Sequence, residues 1–484
     1  MKNKIIYKDI IIIGAGLSGI GAACHISQKH PNKTYTILES RKELGGTWSL
    51  FKYPGIRSDS DMYTFGYAFK TWDDPKSFAD APSILKYLNE ASEEFKIKDQ
   101  IRYQQKAISY NFDTDKKLWS IVTLNDLTGE RLIYNCQLIF SCSGYFNYDK
   151  GYTPDFKGHD KYQGEIIHPQ KWPKNFDCTG KKVVVIGSGA TAVTIVPKLA
   201  SKVSSITMLQ RSPSYIGTLP NEDRLGIFIK QIFPKKIAHS IIRLKNITIG
   251  TIFFNLCKYF PKSMKKIIIS GAENQLGDFS VDPHFIPNYK PWEQRFCIAP
   301  DGDFFKVIKD KKASVVTGHI ECFVKNGILL KTGEIIESDV IITATGLDLL
   351  PFGGAKISIN SNPFDVSKSF VYKGVMLSNL PNFFIFVGYT NASWTLKVNL
   401  TNKYISRILK YLEKNNYQVF KAKINDNLLK PTPLLNLNSN YINRSSNKLP
   451  SQGTHAPWRV YQNYFLDYKM LCIDKIKDKW LTFI

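Results

Sequence analysis

The sequence predicts an α/β protein with two dinucleotide-binding, Rossmann-like domains and a helical insertion in the second domain. Two glycine-rich turns indicate this fold class: one at residues 14–19 follows the isoleucine run 10–13, and one at residues 187–192 follows the valine-rich run 183–186. In both places a buried strand leads through small residues into a helix, an arrangement that brings backbone N–H groups to a pyrophosphate. The third observation is the segment YQGEIIHPQKWP at residues 162–173, which separates the two turns.

The composition is that of an ordinary globular protein with several domains. The chain has 484 residues, of which 43% are hydrophobic and 22% charged, and this is ample material for a core. The order of the motifs predicts a first domain that is split in sequence. Its first part covers residues 1–150, a second domain covers 151–345 with a basic helical insertion at about 217–290, and residues 346–484 return to the first domain and end the chain.

The formal net charge of +24 suggests nucleic-acid binding as one interpretation, because a basic surface attracts polyphosphates. The lysines are spread over the whole chain, however, and no recognisable nucleic-acid-binding motif accompanies them. We therefore expect no nucleic-acid partner.

The eight cysteines are scattered without a CxxC pair. This pattern favours reduced thiols and a cytoplasmic protein over a disulfide framework, and it offers no metal-ligand spacing, so we expect no metal. The apolar run at residues 10–13 is too short for the core of a signal peptide and indicates a buried first strand.

The first glycine turn has the partners that a dinucleotide site requires. A strand at 9–13, a helix to about Lys29 and a strand at 35–38 surround it, and Glu39 stands at the tip of the second strand, 25 residues beyond Gly14. A carboxylate at that position accepts hydrogen bonds from ribose hydroxyls. The candidate dinucleotide contacts here are Gly14, Gly16, Ser18, Gly19 and Glu39.

The second turn repeats the first with the opposite charge at the diagnostic position. The strand at 206–209 ends near Arg211, which lies 24 residues beyond Gly187. A guanidinium at this tip meets a 2′-phosphate through charge-assisted hydrogen bonds, so the site is expected to prefer NADPH to NADH; a solvated arginine at a strand end is the alternative. The candidate NADPH contacts are Gly187, Ser188, Gly189, Ala190, Thr191, Ala192, Arg211 and Ser212.

The segment between the turns carries a family resemblance. Its pattern YxGxxxHxxxWP, with Gly164, His168 and Trp172, is similar to the fingerprint of type I Baeyer-Villiger monooxygenases, itself close to that of flavin-containing monooxygenases. Tyr162 stands where the family normally has Phe, and this points to the ethionamide-activating branch. Further similar stretches are GGTW at 45–48, YPGIRSDSD at 53–61, APDGD at 299–303 and GYTNASWTLK at 388–397.

The resemblance implies FAD at the first turn and NADPH at the second. The GGTW loop and the segment after it would pass over the flavin, although Trp48 fits a core aromatic equally well. Disulfide reductases of the same architecture need a cysteine pair at this loop, and no cysteine lies between Cys24 and Cys136. The implied FAD contacts are Thr47, Trp48, Ser49, Leu50, Asp59 and Ala107, and the implied further NADPH contacts are Arg57 and Ser58.

The same resemblance implies the reaction. Arg295 stands at the position of the family's catalytic arginine, and Asp59 would orient it. The implied activity is NADPH-dependent insertion of one atom of O2 into a hydrophobic ketone, through a C4a-peroxyflavin, to give an ester or lactone. Oxygenation of sulfur or nitrogen in thioethers, thioamides or amines is the alternative within this enzyme class, with His168 acting in the linker between domains in either case. A non-oxygenating flavoprotein that serves as a redox or membrane-bound interaction module is the alternative from another class.

The insertion has an unusual charge pattern. Residues 224–272 contain ten Lys or Arg and no Asp or Glu, interleaved with apolar clusters. Basic and apolar residues together favour peripheral contact with the anionic inner face of the cell membrane. A solvated insertion that caps the active site explains the same pattern.

The remaining elements follow from apolar runs. Strands are predicted at 119–123, at 138–144 and at 333–345, where the chain re-enters the first domain, and a buried strand is predicted at 383–388. We expect a loop at 388–397, a helix at 401–414 and a surface connection at 421–451, which is rich in Lys, Asn and Pro.

Overall fold

The computed structural model of the chain describes residues 5–424, 429–435, 444 and 446–484. The helices, numbered in chain order over these residues, are α1 (Leu17–Lys29), α2 (Thr47–Leu50), α3 (Met62–Phe65), α4 (Ala81–Glu94), α5 (Ala190–Leu199), α6 (Arg224–Ile232), α7 (Lys235–Tyr259), α8 (Pro261–Leu276), α9 (Asp303–Lys309), α10 (Trp394–Asn415) and α11 (Tyr464–Tyr468).

The strands, numbered in the same way, are β1 (Ile5–Ile13), β2 (Tyr35–Leu38), β3 (Ile101–Arg102), β4 (Lys106–Asp113), β5 (Leu118–Leu124), β6 (Arg131–Ser141), β7 (Phe146–Gly151), β8 (Glu165–Ile167), β9 (Lys182–Ile186), β10 (Ser205–Gln210), β11 (Ile216–Leu219), β12 (Cys297–Pro300), β13 (Ser314–Thr317), β14 (Ile320–Val324), β15 (Gly327–Leu330), β16 (Ile335–Glu337), β17 (Val340–Thr343), β18 (Leu347–Leu349), β19 (Lys356–Ile359), β20 (Asn362–Pro363), β21 (Val371–Tyr372), β22 (Met376–Leu377), β23 (Phe383–Ile385), β24 (Phe420–Ala422), β25 (Thr432–Pro433), β26 (Ser451–Gln452) and β27 (Leu481–Phe483).

The larger sheet is formed by strands from both ends of the chain. Its parallel centre runs in the order β3-β2-β1-β6-β23, so a late strand lies beside an early one. Ile10, Ile11 and Ile12 of β1 are fully buried, as expected for a central parallel strand covered on both faces. The sheet thereby joins residues 5–141 to residues 356–385.

The second sheet is wholly parallel and comes from the middle of the chain. Its order is β13-β10-β9-β17-β8. From β9 onwards the strands follow the 3-2-1-4 order of a doubly wound nucleotide-binding sheet, and the earlier strand β8 is added at the edge. Val185 of β9, Val196 of α5 and Phe305 of α9 pack in its buried core. Both sheets therefore place a glycine turn at the carboxyl end of a central strand.

The insertion consists of α6, α7 and α8. Helices α6 and α7 pack against the first domain through Ile229 and Ile242, whereas α8 packs against α9 in the core of the second sheet. Arg243 of α7 is buried, and its Nη1 donates to the carbonyl oxygens of Tyr63, Thr64 and Gly66 at 2.6, 3.2 and 2.9 Å. Carbonyls at the end of a short helix such as α3 lack partners within the helix, and a guanidinium satisfies them. One of the ten basic residues of 224–272 is thus a core residue.

Four predicted boundaries are wrong. The strand expected at 138–144 is the last part of β6, which begins at Arg131 and ends at Ser141. The strand expected at 333–345 is two strands in different sheets, β16 and β17, because Ser338 and Asp339 separate them. The strand expected at 383–388 ends at Ile385. The helix expected at 401–414 begins at Trp394, so the expected loop at 388–397 is partly helical; the apolar side chains of that first turn are buried, and packing rather than a capping signal fixes the start. The surface connection expected at 421–451 lies partly outside the described residues.

Candidate active site

A cavity of about 610 Å³ lies along the carboxyl end of the larger sheet and extends to the second glycine turn. Its size is that of a cavity that encloses a ligand of cofactor dimensions. The predicted site residues that line it are Gly14, Gly16, Ser18, Glu39, Thr47, Trp48, Leu50, Arg57, Ser58, Asp59, Ala107, Ala190, Thr191 and Arg295.

The first glycine turn is held tightly against the end of β6. Gly14 has a φ of +97°, and a Cβ atom there would lie 2.9 Å from the carbonyl oxygen of Cys142, so both conformation and space require glycine. Gly19 lies further along α1 and does not line the cavity, since a Cβ there would lie 1.8 Å from the carbonyl oxygen of Gly14. It serves close packing of the helix on the strand.

Glu39 is buried at the tip of β2, as the sequence predicts. Its Oε2 accepts a hydrogen bond from the backbone N–H of Ala15 at 2.7 Å, and its Oε1 accepts one from the N–H of Arg41 at 2.9 Å. Burial raises the pKa of the Glu39 carboxyl, and these two hydrogen bonds act in the opposite direction. The carboxylate is therefore fixed beside the turn and faces the cavity.

Arg41 is a cavity residue that sequence reasoning missed. Its Nη1 donates to the carbonyl oxygen of Gly46 at 3.1 Å and to the Oγ of Ser49 at 2.6 Å. Ser49 itself is buried and does not line the cavity, and its hydroxyl contacts the cavity residue Arg41. No motif identifies Arg41, because its role depends on the fold of the GGTW loop around it.

Trp394 is a second missed residue of the cavity wall. It begins α10, and its indole N–H donates to the Oγ of Ser18 at 2.9 Å. Trp48 also lines the cavity and packs edge-on against Phe65 with ring centroids 5.5 Å apart, so it is both a wall residue and a core aromatic. The GYTNASWTLK stretch was the sequence signal for Trp394.

Arg295 and Asp59 meet at the cavity wall. The Nη2 of Arg295 donates to both carboxylate oxygens of Asp59, at 3.0 and 2.7 Å, and its Nε donates to Oδ2 at 3.1 Å. Bidentate pairs of this kind fix the plane of the guanidinium as well as its position. The side chain of Arg295 is 46% exposed, so the cation is oriented by Asp59 and still accessible from the cavity.

Arg57 and Tyr53 connect the loop after GGTW to the second domain. Arg57 forms a two-point ion pair with Asp303 of α9, with nitrogen–oxygen distances of 2.5 and 3.0 Å. The hydroxyl of Tyr53 is hydrogen-bonded to the side chain of Thr191, and burial raises the pKa of Tyr53 to about 12. Ser58 is buried and donates through its hydroxyl to the carbonyl oxygen of Ser60. The contacts of Tyr53 and Arg57 tie the predicted FAD loop to the predicted NADPH turn and to α9.

The second glycine turn has the same strand-to-helix form. Gly187 has a φ of +132°, and a Cβ there would lie 2.4 Å from the carbonyl oxygen of Ala344. The Oγ of Ser188 donates to the carbonyl oxygen of Ser212 at 3.0 Å, and Ala192 is buried in α5. Arg211 is exposed directly after β10. Gly187, Ser188, Gly189, Ala192, Arg211 and Ser212 do not line the 610 Å³ cavity.

The fingerprint segment lies outside the cavity and joins the domains. The Nε2 of His168 is 3.2 Å from the carbonyl oxygen of Gly346, and its Nδ1 accepts from the N–H of Gln170 at 3.2 Å. Burial lowers the pKa of His168. Trp172 packs on Phe176 beside the second sheet, and a Cβ at Gly164 would lie 2.4 Å from the carbonyl oxygen of Asp339.

The residues present fit two dinucleotides. Neither α1 nor α5 has a side-chain hydrogen bond at its N-cap, where Gly16 and Gly189 stand, so the first N–H groups are available to phosphate oxygens. Glu39 suits a ribose at the first turn, and Arg211 suits a 2′-phosphate at the second. Over the described residues there is no group of His, Cys, Asp and Glu that could hold a metal ion, and no helix there is long and apolar enough to cross a membrane.

Comparisons with known proteins agree with this geometry. Residues 7–246 match the family model described as flavin-binding monooxygenase-like. The FAD-containing monooxygenase EthA of Mycolicibacterium smegmatis is 45% identical over 477 residues, which cover 98% of this chain and 96% of that protein. The probable FAD-binding monooxygenase AlmA of Acinetobacter baylyi is 43% identical over 477 residues, with coverage of 98% and 96%.

Solved structures agree on the fold. OTEMO in complex with FAD and NADP has a TM-score of 0.70 at 22% identity, covering 87% of this chain and 88% of that one. Cyclohexanone monooxygenase bound to ε-caprolactone has a TM-score of 0.72 at 20% identity, covering 87% and 90%. The predicted two-dinucleotide α/β fold is confirmed.

Fold and site together define a flavin-dependent monooxygenase with FAD and NADP(H) as cofactors. The chain belongs to the flavin-binding monooxygenase-like family and resembles its EthA and AlmA members over nearly its whole length. The family resemblance and the cofactors predicted from the fingerprint and the glycine turns are therefore confirmed. The alternative of a non-oxygenating flavoprotein is not supported.

Proposed function

We propose that the enzyme uses NADPH and O2 to insert one oxygen atom into a hydrophobic ketone, giving an ester or lactone. NADPH supplies two electrons, one oxygen atom enters the ketone, and the other leaves as water. The observation that carries the proposal is the bidentate pair of Arg295 and Asp59 at the cavity wall.

Bound FAD, once reduced, supplies the activation of O2. Arg295 is assigned the stabilisation of the negative charge that develops on a ketone oxygen when its carbonyl carbon is attacked, because a fixed cation in a partly enclosed cavity favours such an oxyanion. Asp59 is assigned the orientation of that guanidinium. Its three hydrogen bonds to Arg295, between 2.7 and 3.1 Å, support this assignment.

The cofactor roles are assigned by position. We propose residues 1–150 and 346–484 as the FAD-binding domain and residues 151–345 as the NADPH-binding domain, because the two sheets carry one glycine turn each. The cavity-lining members of the FAD set, from Gly14 to Ala107, would contact the flavin nucleotide. Arg211 would bind the 2′-phosphate, and Arg57 and Ser58 would approach NADPH from the loop beside Thr191.

A panel of ketones and thioethers incubated with enzyme, NADPH and O2 tests the proposal, with products identified by mass spectrometry. Esters or lactones from ketones are expected as the main products. Sulfoxides with no ester would assign the enzyme to heteroatom oxygenation instead. A thioether carries no carbonyl and forms no carbonyl oxyanion, so Arg295→Ala is expected to abolish ester formation more completely than sulfoxidation.

We also propose a cytoplasmic location with peripheral contact with the inner face of the cell membrane. The eight cysteines are free, and six of them are buried, which suits a reducing compartment. The membrane contact is supported by the exposed helical surface of residues 224–272. Cell fractionation at low and high salt tests the location, since a peripheral protein is released from the membrane fraction by salt.

A further inference from the structure

The insertion exposes apolar side chains out of proportion to its length. Of the 24 large hydrophobic side chains that are exposed among the described residues, twelve come from residues 224–272. Phe228 is 56% exposed, Ile252 53% and Tyr259 69%. Contiguous exposed apolar surface is rare on soluble proteins and marks a contact with a partner.

These side chains form stripes on two helices. On α6, Leu225, Phe228 and Ile232 follow the i, i+3, i+7 spacing that places residues on one face. On α7, Ile237, Leu244, Ile252 and Tyr259 recur at seven or eight positions, about two turns, and Leu256 lies on the same face four positions after Ile252. The opposite sides of these helices face the core, where Ile229, Ile242 and Ile247 pack. The docking face comprises Leu225, Phe228, Ile232, Ile237, Leu244, Ile252, Leu256 and Tyr259.

The charges of the insertion divide into two groups. Five of the ten are engaged within the protein. Arg243 and Lys265 donate to backbone carbonyls, Lys245 and Lys235 pair with Asp223 and Asp73, and Lys230 lies over the ring of Tyr63. The remaining group is exposed beside the docking face. It consists of Arg224 and of four lysines, Lys236, Lys258, Lys262 and Lys266. Because residues 224–272 contain no Asp or Glu, this surface is complementary to a negatively charged partner.

We infer that the docking face lies on an anionic lipid surface, with its apolar side chains in the interface and the four exposed lysines at the headgroups. This inference specifies the membrane contact proposed with the function and does not depend on the substrate. Amphipathic helices with a basic flank bind such surfaces because burial of the apolar face and attraction of the basic side chains to anionic lipid both favour binding. A second copy of the chain is a poorer occupant, because the four lysines of each copy would face one another.

The docking face is one helix away from the active-site cavity. Ile247 of α7 packs with Tyr389, which lines the cavity. Phe253 of α7 packs edge-on against Phe296, the neighbour of Arg295, with ring centroids 5.6 Å apart. A docked enzyme therefore holds its cavity beside the bilayer, where hydrophobic substrates concentrate.

Vesicle sedimentation of the full-length holoenzyme tests the inference. We expect the protein to pellet with vesicles of phosphatidylglycerol and phosphatidylcholine at low salt, to bind pure phosphatidylcholine at least tenfold more weakly, and to be released by high salt. The variant K236Q/K258Q/K262Q/K266Q is expected to bind at least tenfold more weakly. The variant F228S/I252S/Y259S keeps the charge of the wild type and is also expected to bind these vesicles at least tenfold more weakly.

A matched control separates the docking face from net charge. The variant K150Q/K202Q/K312Q/K331Q removes four exposed lysines elsewhere and is expected to bind vesicles like the wild type. NADPH oxidation in solution reports that each variant is folded. The inference is overturned if the wild type stays in the supernatant with anionic vesicles at low salt, if the control variant loses as much binding as the docking-face variants, or if sedimentation velocity reveals a stable dimer that the serine variant dissociates.

Discussion

The guanidinium of Arg295 and the carboxylate of Asp59 lie 236 residues apart in sequence and form a bidentate ion pair, with the shortest nitrogen–oxygen distance 2.7 Å. The pair connects the loop that follows the first glycine turn to the segment that follows the insertion. It lies on the wall of a cavity that is also lined by Gly14 of the first glycine turn and by Thr191 of the second. The two glycine turns and the proposed catalytic cation therefore line one cavity.

Removal of the cation is expected to abolish ketone oxygenation. Arg295→Ala removes the charge that stabilises the oxyanion and is expected to lower ester formation about a hundred- to a thousandfold. FAD absorbance of the purified variant is expected to stay at the wild-type level. Arg295→Lys serves as the control that keeps the charge but loses the bidentate geometry, and an unchanged ester yield from Arg295→Ala would remove this residue from the mechanism.

Arg211 is expected to select NADPH. Arg211→Ala removes one charge-assisted contact with the 2′-phosphate and is expected to raise the KM for NADPH about tenfold, because 1.4 kcal/mol corresponds to a factor of ten. Steady-state kinetics with NADH is expected to change little. Lys202→Ala removes another exposed cation of the same domain as a control, and equal losses with NADPH and NADH at Arg211→Ala would indicate a structural role.

Arg57 and Asp303 are expected to act as a unit. In a double-mutant cycle of Arg57→Ala and Asp303→Ala, thermal unfolding is expected to reveal a coupling of about 0.5–1 kcal/mol, since both side chains are partly exposed and solvent screens them. Additive effects of the two substitutions would mean that the ion pair does not tie the loop to α9. A KM effect of Arg57→Ala for NADPH that Asp303→Ala does not share would instead support direct contact with the cofactor.

His168 is expected to affect the coupling between domains and not flavin binding. His168→Ala leaves a space beside Gly151 and removes the contact with the carbonyl oxygen of Gly346, so slower turnover with full FAD content is expected. Stopped-flow measurement of flavin reduction and reoxidation locates the slow step. His319→Ala, at an exposed histidine, is the control. Wild-type rates for both half-reactions of His168→Ala would contradict this role.

His239 is expected to make the fold sensitive to acid. Burial lowers the pKa of His239 from 6.5 to about 4, and the nearby Arg243 acts in the same direction. Because the folded-state pKa is lowered, the associated stability is present above pH 6.5 and is lost as the pH falls towards 4. Acidification from pH 7 to pH 5 is expected to lower the free energy of unfolding by about 2 kcal/mol through this residue, because the unfolded state takes up a proton that the folded state does not.

Denaturant unfolding of His239→Phe at the two pH values measures this contribution. The variant is expected to lose less stability on acidification than the wild type, whereas His319→Phe is expected to follow the wild type. Identical pH dependence of His239→Phe and the wild type would show that the buried imidazole does not govern the acid response.

Local sequence patterns determined both nucleotide turns and the class of protein. A glycine at φ near +97° or +132° with no room for a Cβ leaves a trace in sequence, because no other residue fits. Glu39 and Arg211 were found for a similar reason, since each follows a short buried strand at a set distance from its glycine turn. Each of these patterns involves residues no more than about 25 positions apart in the sequence.

Tertiary structure decided the features that depend on distant segments. Arg41 and Ser49 hold the GGTW loop through side-chain contacts that no spacing predicts. The start of α10 at Trp394 follows from packing, and β16 and β17 separate because they join different sheets. In the insertion the sequence contains ten cations that look equivalent. The fold buried Arg243, engaged Lys245, Lys265 and Lys235, and left four lysines and an apolar stripe exposed. Composition counts charges, and only packing determines which of them solvent or a membrane can reach.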